Sequence, residues 1–235
     1  MSVHLSAGNN LRNCLRAVLL SACLLAVTTR AAEQAPKASR GAALFANCAQ
    51  CHGEKGEGLE ATKAPRLAGR EDWFLKKQLE EFRRRERGKD DSKETGFLPP
   101  DERTKFMHPV ADKLDRSDTK ALLAHIATLR PAAVPQARLG DANKGRALYA
   151  ACIECHGKSA EGNRRKDAPR LTEQHDWYLF NQLHDFRMGW RGADSKDPHL
   201  KLMRSKLDLD DDGLRDLVAF IVSLNQPAPA PTAPR

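Results

Sequence analysis

Residues 48–52 read CAQCH and residues 152–156 read CIECH. In both stretches two cysteines stand three residues apart, and a histidine directly follows the second cysteine. Positions i and i+3 on a helical turn face the same way, so two thiols can bond the two vinyl groups of one porphyrin while the histidine ligates its iron. The pattern therefore predicts two c-type haems, each held by two cysteines and a histidine: Cys48, Cys51 and His52 for one, Cys152, Cys155 and His156 for the other.

Zinc binding and disulfide formation are the alternatives for a cysteine pair of this spacing. A structural zinc site needs four ligands, and each stretch supplies three. The two pairs stand about a hundred residues apart, whereas zinc ribbons separate their pairs by about 15–20 residues. A disulfide between residues three apart closes a very small loop and constrains the unfolded chain little. The spacing therefore favours haem attachment.

The two motifs belong to a longer internal repeat. Residues 39–53, SRGAALFANCAQCHG, align with residues 143–157, NKGRALYAACIECHG. The same offset holds as far as residue 88 and its counterpart 192. The first copy then carries about eight extra residues within 88–102, after which Met107 aligns with Met203. The chain is therefore predicted to contain two copies of one domain of about 90–100 residues.

The composition of the remaining segments predicts the domain organisation. Residues 1–31 combine Arg12 and Arg16 with an apolar run at 17–27 and small residues at 29–31, which is the layout of a signal peptide. We therefore expect an N-terminal domain at 39–130, a linker at 131–140, a C-terminal domain at 141–226 and a disordered Pro/Ala-rich tail at 227–235. Export predicts a periplasmic location. Retention of the N-terminus as an anchor, or lipidation at Cys23, stays open, and either would allow peripheral membrane association.

Apolar spacing predicts helices in both copies. Leu44, Phe45 and Cys48 indicate a helix that leads into the first motif, and a second helix is expected after Arg70. One-sided apolar patterns at 122–129 and 217–224 predict a closing helix in each copy. Neither copy has a convincing run of alternating strand residues. The predicted fold class is all-α, with two tandem domains that each wrap around a covalently bound haem.

The second axial ligand of each iron has to come from elsewhere in its copy. Met107 and Met203 occupy matching positions, and a thioether favours ferrous iron. Filling gaps in a core is the alternative role for both methionines. His108 stays an alternative ligand for the first iron, although Arg204 takes its place in the second copy.

Pro65 and Pro169 each follow a motif histidine by thirteen residues. A ligating imidazole generally needs an acceptor for its other N–H, and a proline carbonyl held by a fixed φ angle could supply it. A turn in a loop is the other interpretation of these prolines, and both stay open.

Histidines outside the motifs do not recur between the copies. His175 aligns with Glu71, and His184 aligns with Glu80. We therefore expect solvated side chains at these four positions.

The motifs resemble those of dihaem cytochromes of the c4 type, which belong to the class I cytochrome c family. The likeness rests on CxxCHG, P-R-L, W-x-L-x-x-Q-L-x-x-F-R followed by R-G, and M-x-x-x-A-x-x-L at 107–114, and it runs through residues 39–226. The resemblance implies two class I cytochrome c folds and an electron carrier of the bacterial periplasm. By position it also implies that Met107 and Met203 ligate iron and that the carbonyls of Pro65 and Pro169 accept from the motif histidines.

These expectations favour an electron carrier over an enzyme. An iron with both axial positions filled by protein has no place for a small-molecule substrate, so electron exchange with redox proteins remains. We expect the chain to shuttle single electrons between respiratory-chain or dehydrogenase partners and a terminal oxidase or reductase. A dihaem peroxidase and a cytochrome subunit of a dehydrogenase are the alternatives. Nucleic acid is not an expected partner, because the residues that give the formal charge of +8 are mixed with acidic ones.

Overall fold

The computed structural model describes residues 39–87, 102–192 and 195–225. The predicted signal peptide at 1–31, the tail at 227–235 and most of the extra segment within 88–102 lie outside these residues. Their predictions therefore stay predictions.

Both copies are built from helices. The first copy contains α1 Arg40–His52, α2 Asp72–Arg83, α3 Glu102–Lys105, α4 Met107–Asp112 and α5 Arg116–Ile126. The second copy contains α6 Ala142–Tyr149, α7 Ile153–His156, a 3₁₀ turn at Arg164–Lys166, α8 Asp176–Met188, α9 Pro198–Ser205 and α10 Asp211–Ser223. Among the described residues, the β-bridges Leu59–Ala64 and Asn163–Ala168 are isolated and belong to no strand. The predicted all-α class is confirmed.

The first and last helices of each copy pack against each other through a glycine. A Cβ at Gly41 would overlap the carbonyl oxygen of Ala121, and a Cβ at Gly145 would overlap that of Asp216. The backbones of α1 and α5, and of α6 and α10, therefore approach more closely than a side chain would allow. This crossing brings the start of each copy against its closing helix.

The closing helices begin at equivalent aspartate caps. Asp115 accepts from the backbone N–H of Asp118 at 2.7 Å, and Asp210 accepts from that of Gly213 at 2.8 Å. A capping carboxylate satisfies one of the backbone donors that a helix start leaves unpaired. The apolar faces that follow line two separate cores. The first core contains Phe45, Leu75, Leu122, Leu123 and Ile126, and the second includes Tyr149, Leu179, Leu183, Phe186, Leu214, Leu217 and Ile221.

The two copies pack together in one compact unit that starts at Arg40. The expected linker takes part in this packing. Val134 is buried, and Nη1 of Arg66 donates to the carbonyl of Ala132 at 2.6 Å. Across the described residues we find no helix that is both long enough and apolar enough to span a membrane.

Candidate haem-binding sites

The first motif occupies the last turn of α1. Cys48 is half-buried, Cys51 is exposed and His52 is buried, with 6 % of its surface accessible. The i and i+3 spacing places both thiols on one side of this helix, as expected. Among the described residues, none of the four cysteines forms a disulfide. Burial raises the pKa of Cys48 and of Cys152.

Both motif histidines bond to a proline carbonyl. Nδ1 of His52 lies 2.8 Å from the carbonyl oxygen of Pro65, and Nδ1 of His156 lies 2.9 Å from that of Pro169. Because a carbonyl can only accept, Nδ1 carries a proton, and in the neutral ring Nε2 then keeps a lone pair. Burial lowers the pKa of both imidazoles, although the bonds to the carbonyls oppose this shift. Each histidine is thus a buried, neutral imidazole with one nitrogen available for a metal.

A cleft opens beside the first motif. Its lining includes both cysteines and His52, together with Pro65 and Met107. The rest of the nearby wall is largely apolar, with side chains from α2 and α5 such as Leu75 and Leu122. Two thiols, an imidazole and a thioether around an apolar cleft form the donor set that a covalently attached haem requires. The residues of the first copy therefore fit this group.

Met107 and His108 lie in different surroundings although they are neighbours in α4. Met107 lines the cleft. Nε2 of His108 instead lies 2.8 Å from the carbonyl oxygen of Arg87. Its ring is 6.3 Å from that of Phe82. Met107 thus lies beside the motif, whereas the ring of His108 is hydrogen-bonded to the backbone.

The second copy repeats this donor set. His156 is buried, with 7 % of its surface accessible. Met203 lies on α9, and both it and Cys152 pack against the second core. Asp197 caps α9 by accepting from the backbone N–H of His199 at 2.8 Å. This copy therefore offers the same kinds of donor, with Cys152 and Met203 packed against one core.

A buried polar cluster joins the two copies, and its role was missed from the sequence. Oε1 of Gln78 accepts from Arg87 at 2.6 Å and from Arg191 at 3.0 Å. Oε1 of Gln182 accepts from Arg191 at 2.7 Å and from Arg87 at 2.8 Å. The glutamines align with each other in the repeat, as do the arginines, so the cluster has approximate twofold symmetry. Their recurrence at matching positions of the repeat was the available signal.

The loops after the two prolines are also bonded across the copies. Gln174 exchanges two hydrogen bonds with the backbone of Arg66. Glu71 accepts from the backbone N–H of Arg170 at 2.9 Å, and Arg70 donates to the carbonyl of Arg170 at 2.9 Å. Each copy therefore holds the residue that follows the other copy's proline.

The expectation of solvated side chains at His175 and Glu71 was wrong. His175 is half-buried, and its Nε2 lies 2.8 Å from the carbonyl oxygen of Glu57 in the other copy. Glu71 is half-buried and accepts from Arg170. Packing between the copies accounts for the difference, because a repeat pattern within one copy carries no information about the face that meets the other.

The chain is similar in sequence to cytochromes c. The family model for cytochrome c matches residues 38–130 and 142–225. Cytochrome c4 of Azotobacter vinelandii is 30% identical over 195 residues, which cover 78% of this chain and 88% of that protein. A thiosulfate dehydrogenase electron acceptor of Stutzerimonas stutzeri (strain A1501) is 27% identical over 220 residues, covering 88% of this chain and 93% of that protein.

A solved structure has a similar fold. The thiosulfate dehydrogenase (TsdBA) from Marichromatium purpuratum matches with a TM-score of 0.61 and 30% identity. The match covers 78% of this chain but only 39% of that one. This chain therefore spans about two fifths of the length of that structural neighbour.

Proposed function

Because this chain belongs to the cytochrome c family, we propose that it is an exported carrier that takes single electrons from a dehydrogenase or respiratory-chain partner and passes them to a terminal oxidase or reductase. Its two cytochrome c domains and its cytochrome c4 relatives establish two covalently bound haem c groups and a role in electron transfer.

The observation that carries the proposal is the donor set of the first copy. The two cysteines, His52 and Met107 line one apolar cleft. The haem, when bound, supplies a one-electron iron couple. The cysteines hold the group covalently, and the Pro65 carbonyl keeps the proton of His52 on Nδ1, so that Nε2 is available to iron.

We propose that Met107 and Met203 would supply the second protein ligand of each haem iron. A thioether favours ferrous iron, so methionine ligation raises the reduction potential. Such a ligand would also exclude a substrate or an oxidant from the iron. The bond between His108 and the carbonyl of Arg87 favours Met107 for the first iron. With protein ligands on both sides, the haems would be left with outer-sphere electron exchange.

Apolar side chains precede both methionines, at positions where a protein partner would approach the haem sites. Phe106 stands before Met107 and is 78 % exposed, and Leu202 stands before Met203 and is 47 % exposed. A sulfur-compound dehydrogenase is a donor worth testing, because a relative over most of the chain is named as the electron acceptor of thiosulfate dehydrogenase.

Stopped-flow spectroscopy tests the proposed function directly. The oxidised holoprotein is mixed with a purified thiosulfate dehydrogenase and thiosulfate, and separately with membranes that contain a quinol–cytochrome reductase. We expect at least one donor to reduce both haems, and oxidase-containing membranes to reoxidise them. Each donor without its own substrate is the control. Failure of all donors and acceptors to exchange electrons with the protein would contradict the carrier role.

A further inference from the structure

Lys77 of the first copy reaches into the second copy from the middle of α2. Its ammonium donates to the carboxylates of Asp167 and Asp197, with an Nζ–Oδ2 distance of 2.5 Å to Asp197. The accessible fractions of the three side chains are only 21 %, 27 % and 21 %. Ion pairs of this kind, partly shielded from water and sharing one cation, hold their groups more firmly than isolated surface pairs do.

The two carboxylates belong to two different segments of the second site. Asp167 stands two residues before Pro169, whose carbonyl accepts from His156. Asp197 is the N-cap of α9, the helix that carries Met203. One ammonium therefore ties the loop that orients the motif histidine to the helix that presents the methionine.

The charges of this cluster fit the arrangement. Burial disfavours the charge of Lys77, but its bonds to the two aspartates outweigh burial and raise its pKa. The pKa of Asp197 is lowered, because its bonds to Lys77 and to the backbone of His199 outweigh its burial. His199 offers a ring nitrogen within 4.8 Å of both carboxylates, a grouping that could hold a cation, and the Lys77 ammonium provides that positive charge.

The first copy does not repeat this arrangement. The repeat aligns Lys77 with Asn181 and Asp167 with Lys63. Asn181 lines the first cleft, and Lys63 lies 5.8 Å from the ring of Trp177. Asn181 carries no charge, and Lys63 is a cation where the second copy has the anion Asp167. These two residues therefore cannot form the same ion pairs. The ion pairs of Lys77 are thus one-sided, since the first copy contributes the lysine and only the second copy's site is held by it.

We propose that Lys77 is a positioning residue of the second haem site, which holds the His156 loop and the Met203 helix at a fixed separation. The proposal rests on the assignment of Met203 as an axial ligand. A firmly held helix keeps the thioether bound, whereas a released helix lets it dissociate more often. Lys77 thereby tunes one of the two haems and leaves the other unaffected.

The test uses holoproteins in which only one methionine can contribute to the sulfur-to-iron absorption. In a Met107→Ala background, the weak near-red sulfur-to-iron absorption comes from Met203 alone, and in a Met203→Ala background it comes from Met107 alone. Lys77→Leu is added to each background, and loss of the absorption is followed during denaturant titration. Lys76→Leu is the matched control, because this neighbouring lysine is exposed and is 3.9 Å from Glu80 of its own helix.

We expect Lys77→Leu to raise the ligand-off equilibrium constant of Met203 about fivefold, which corresponds to about 1 kcal/mol. Lys77→Arg should restore most of the difference, and Lys76→Leu should have no effect. In the Met203→Ala background, Lys77→Leu should leave the Met107 absorption unchanged. An equal change in both backgrounds would show that Lys77 only joins the copies, and no change in either would also overturn the proposal.

Hydrogen exchange separates failure of this proposal from failure of the ligand assignment. If the Met107→Ala protein shows no near-red absorption, Met203 is not a ligand, and amide exchange then decides the role of Lys77. The amides of Ala168 and His199 are bonded within the two tethered segments. We expect Lys77→Leu to speed exchange at both, and Lys76→Leu at neither. A change at only one amide, or at none, would contradict a joint tether.

Discussion

Gln174 of the second copy exchanges two hydrogen bonds with the backbone of Arg66 in the first copy. Its Oε1 accepts from the Arg66 N–H at 3.1 Å, and its Nε2 donates to the Arg66 carbonyl at 3.1 Å. Arg66 directly follows Pro65, whose carbonyl accepts from His52. The second copy therefore stabilises the loop that orients the histidine of the first. Since Arg70 and Glu71 hold Arg170 in the same way, the support is reciprocal.

The first prediction concerns this exchange. Gln174→Ala should lower the free energy of unfolding by about 1–3 kcal/mol, because it leaves the buried N–H and carbonyl of Arg66 without their partners. Denaturant unfolding followed by circular dichroism measures the change. Gln136→Ala, at an exposed position of the linker, is the control and should be within error of the wild type. Equal stability of the two variants would show that the exchange contributes nothing.

The second prediction uses the symmetry of the glutamine–arginine cluster. Gln78→Leu and Gln182→Leu should each destabilise the protein by about 1.5–3 kcal/mol, because each removes an acceptor that two guanidinium groups share. The double variant should lose less than the sum, since the second change acts on a cluster that is already broken. Thermal or denaturant unfolding of the three variants gives the coupling. Strictly additive losses would contradict a single cooperative cluster.

The third prediction concerns the axial methionines. Replacing Met107 or Met203 with alanine should remove about half of the near-red sulfur-to-iron absorption and lower the potential of that haem, because a thioether favours the ferrous state. Spectroelectrochemical titration measures both effects in one experiment. His108→Ala is the control and should keep the absorption, since its ring is bonded to the carbonyl of Arg87. A spectrum that changes in His108→Ala but not in Met107→Ala would transfer the ligand role to the histidine.

The internal repeat was the source of most predictions about the fold and the sites. Apolar periodicity located α1, α2, α5 and α10, because each buries one face against its own copy. The spacing from His52 to Pro65 left the role of the proline open, and the resemblance implied the bond that the structure shows. The loop between them contains local turns such as the Leu59–Ala64 bridge.

The contacts between the copies could not be predicted in the same way. Gln174 aligns with Arg70, yet both perform the same task of bonding the residue after the opposite proline. Such pairing depends on how two folded surfaces meet, which no pattern within one copy encodes. Lys77 shows the same limit, because its partners lie 90 and 120 residues away along the chain.

Carbon monoxide binding to the fully reduced holoprotein tests the central claim most directly. The account holds that a protein side chain fills both axial positions of each iron, so that the chain carries electrons and has no open site for a substrate. It predicts that carbon monoxide binds slowly and weakly to both haems at neutral pH, and that binding becomes rapid at one haem in Met107→Ala or Met203→Ala. Rapid binding by one haem of the unmodified protein, accompanied by turnover of peroxide, would contradict the account and indicate a catalytic site.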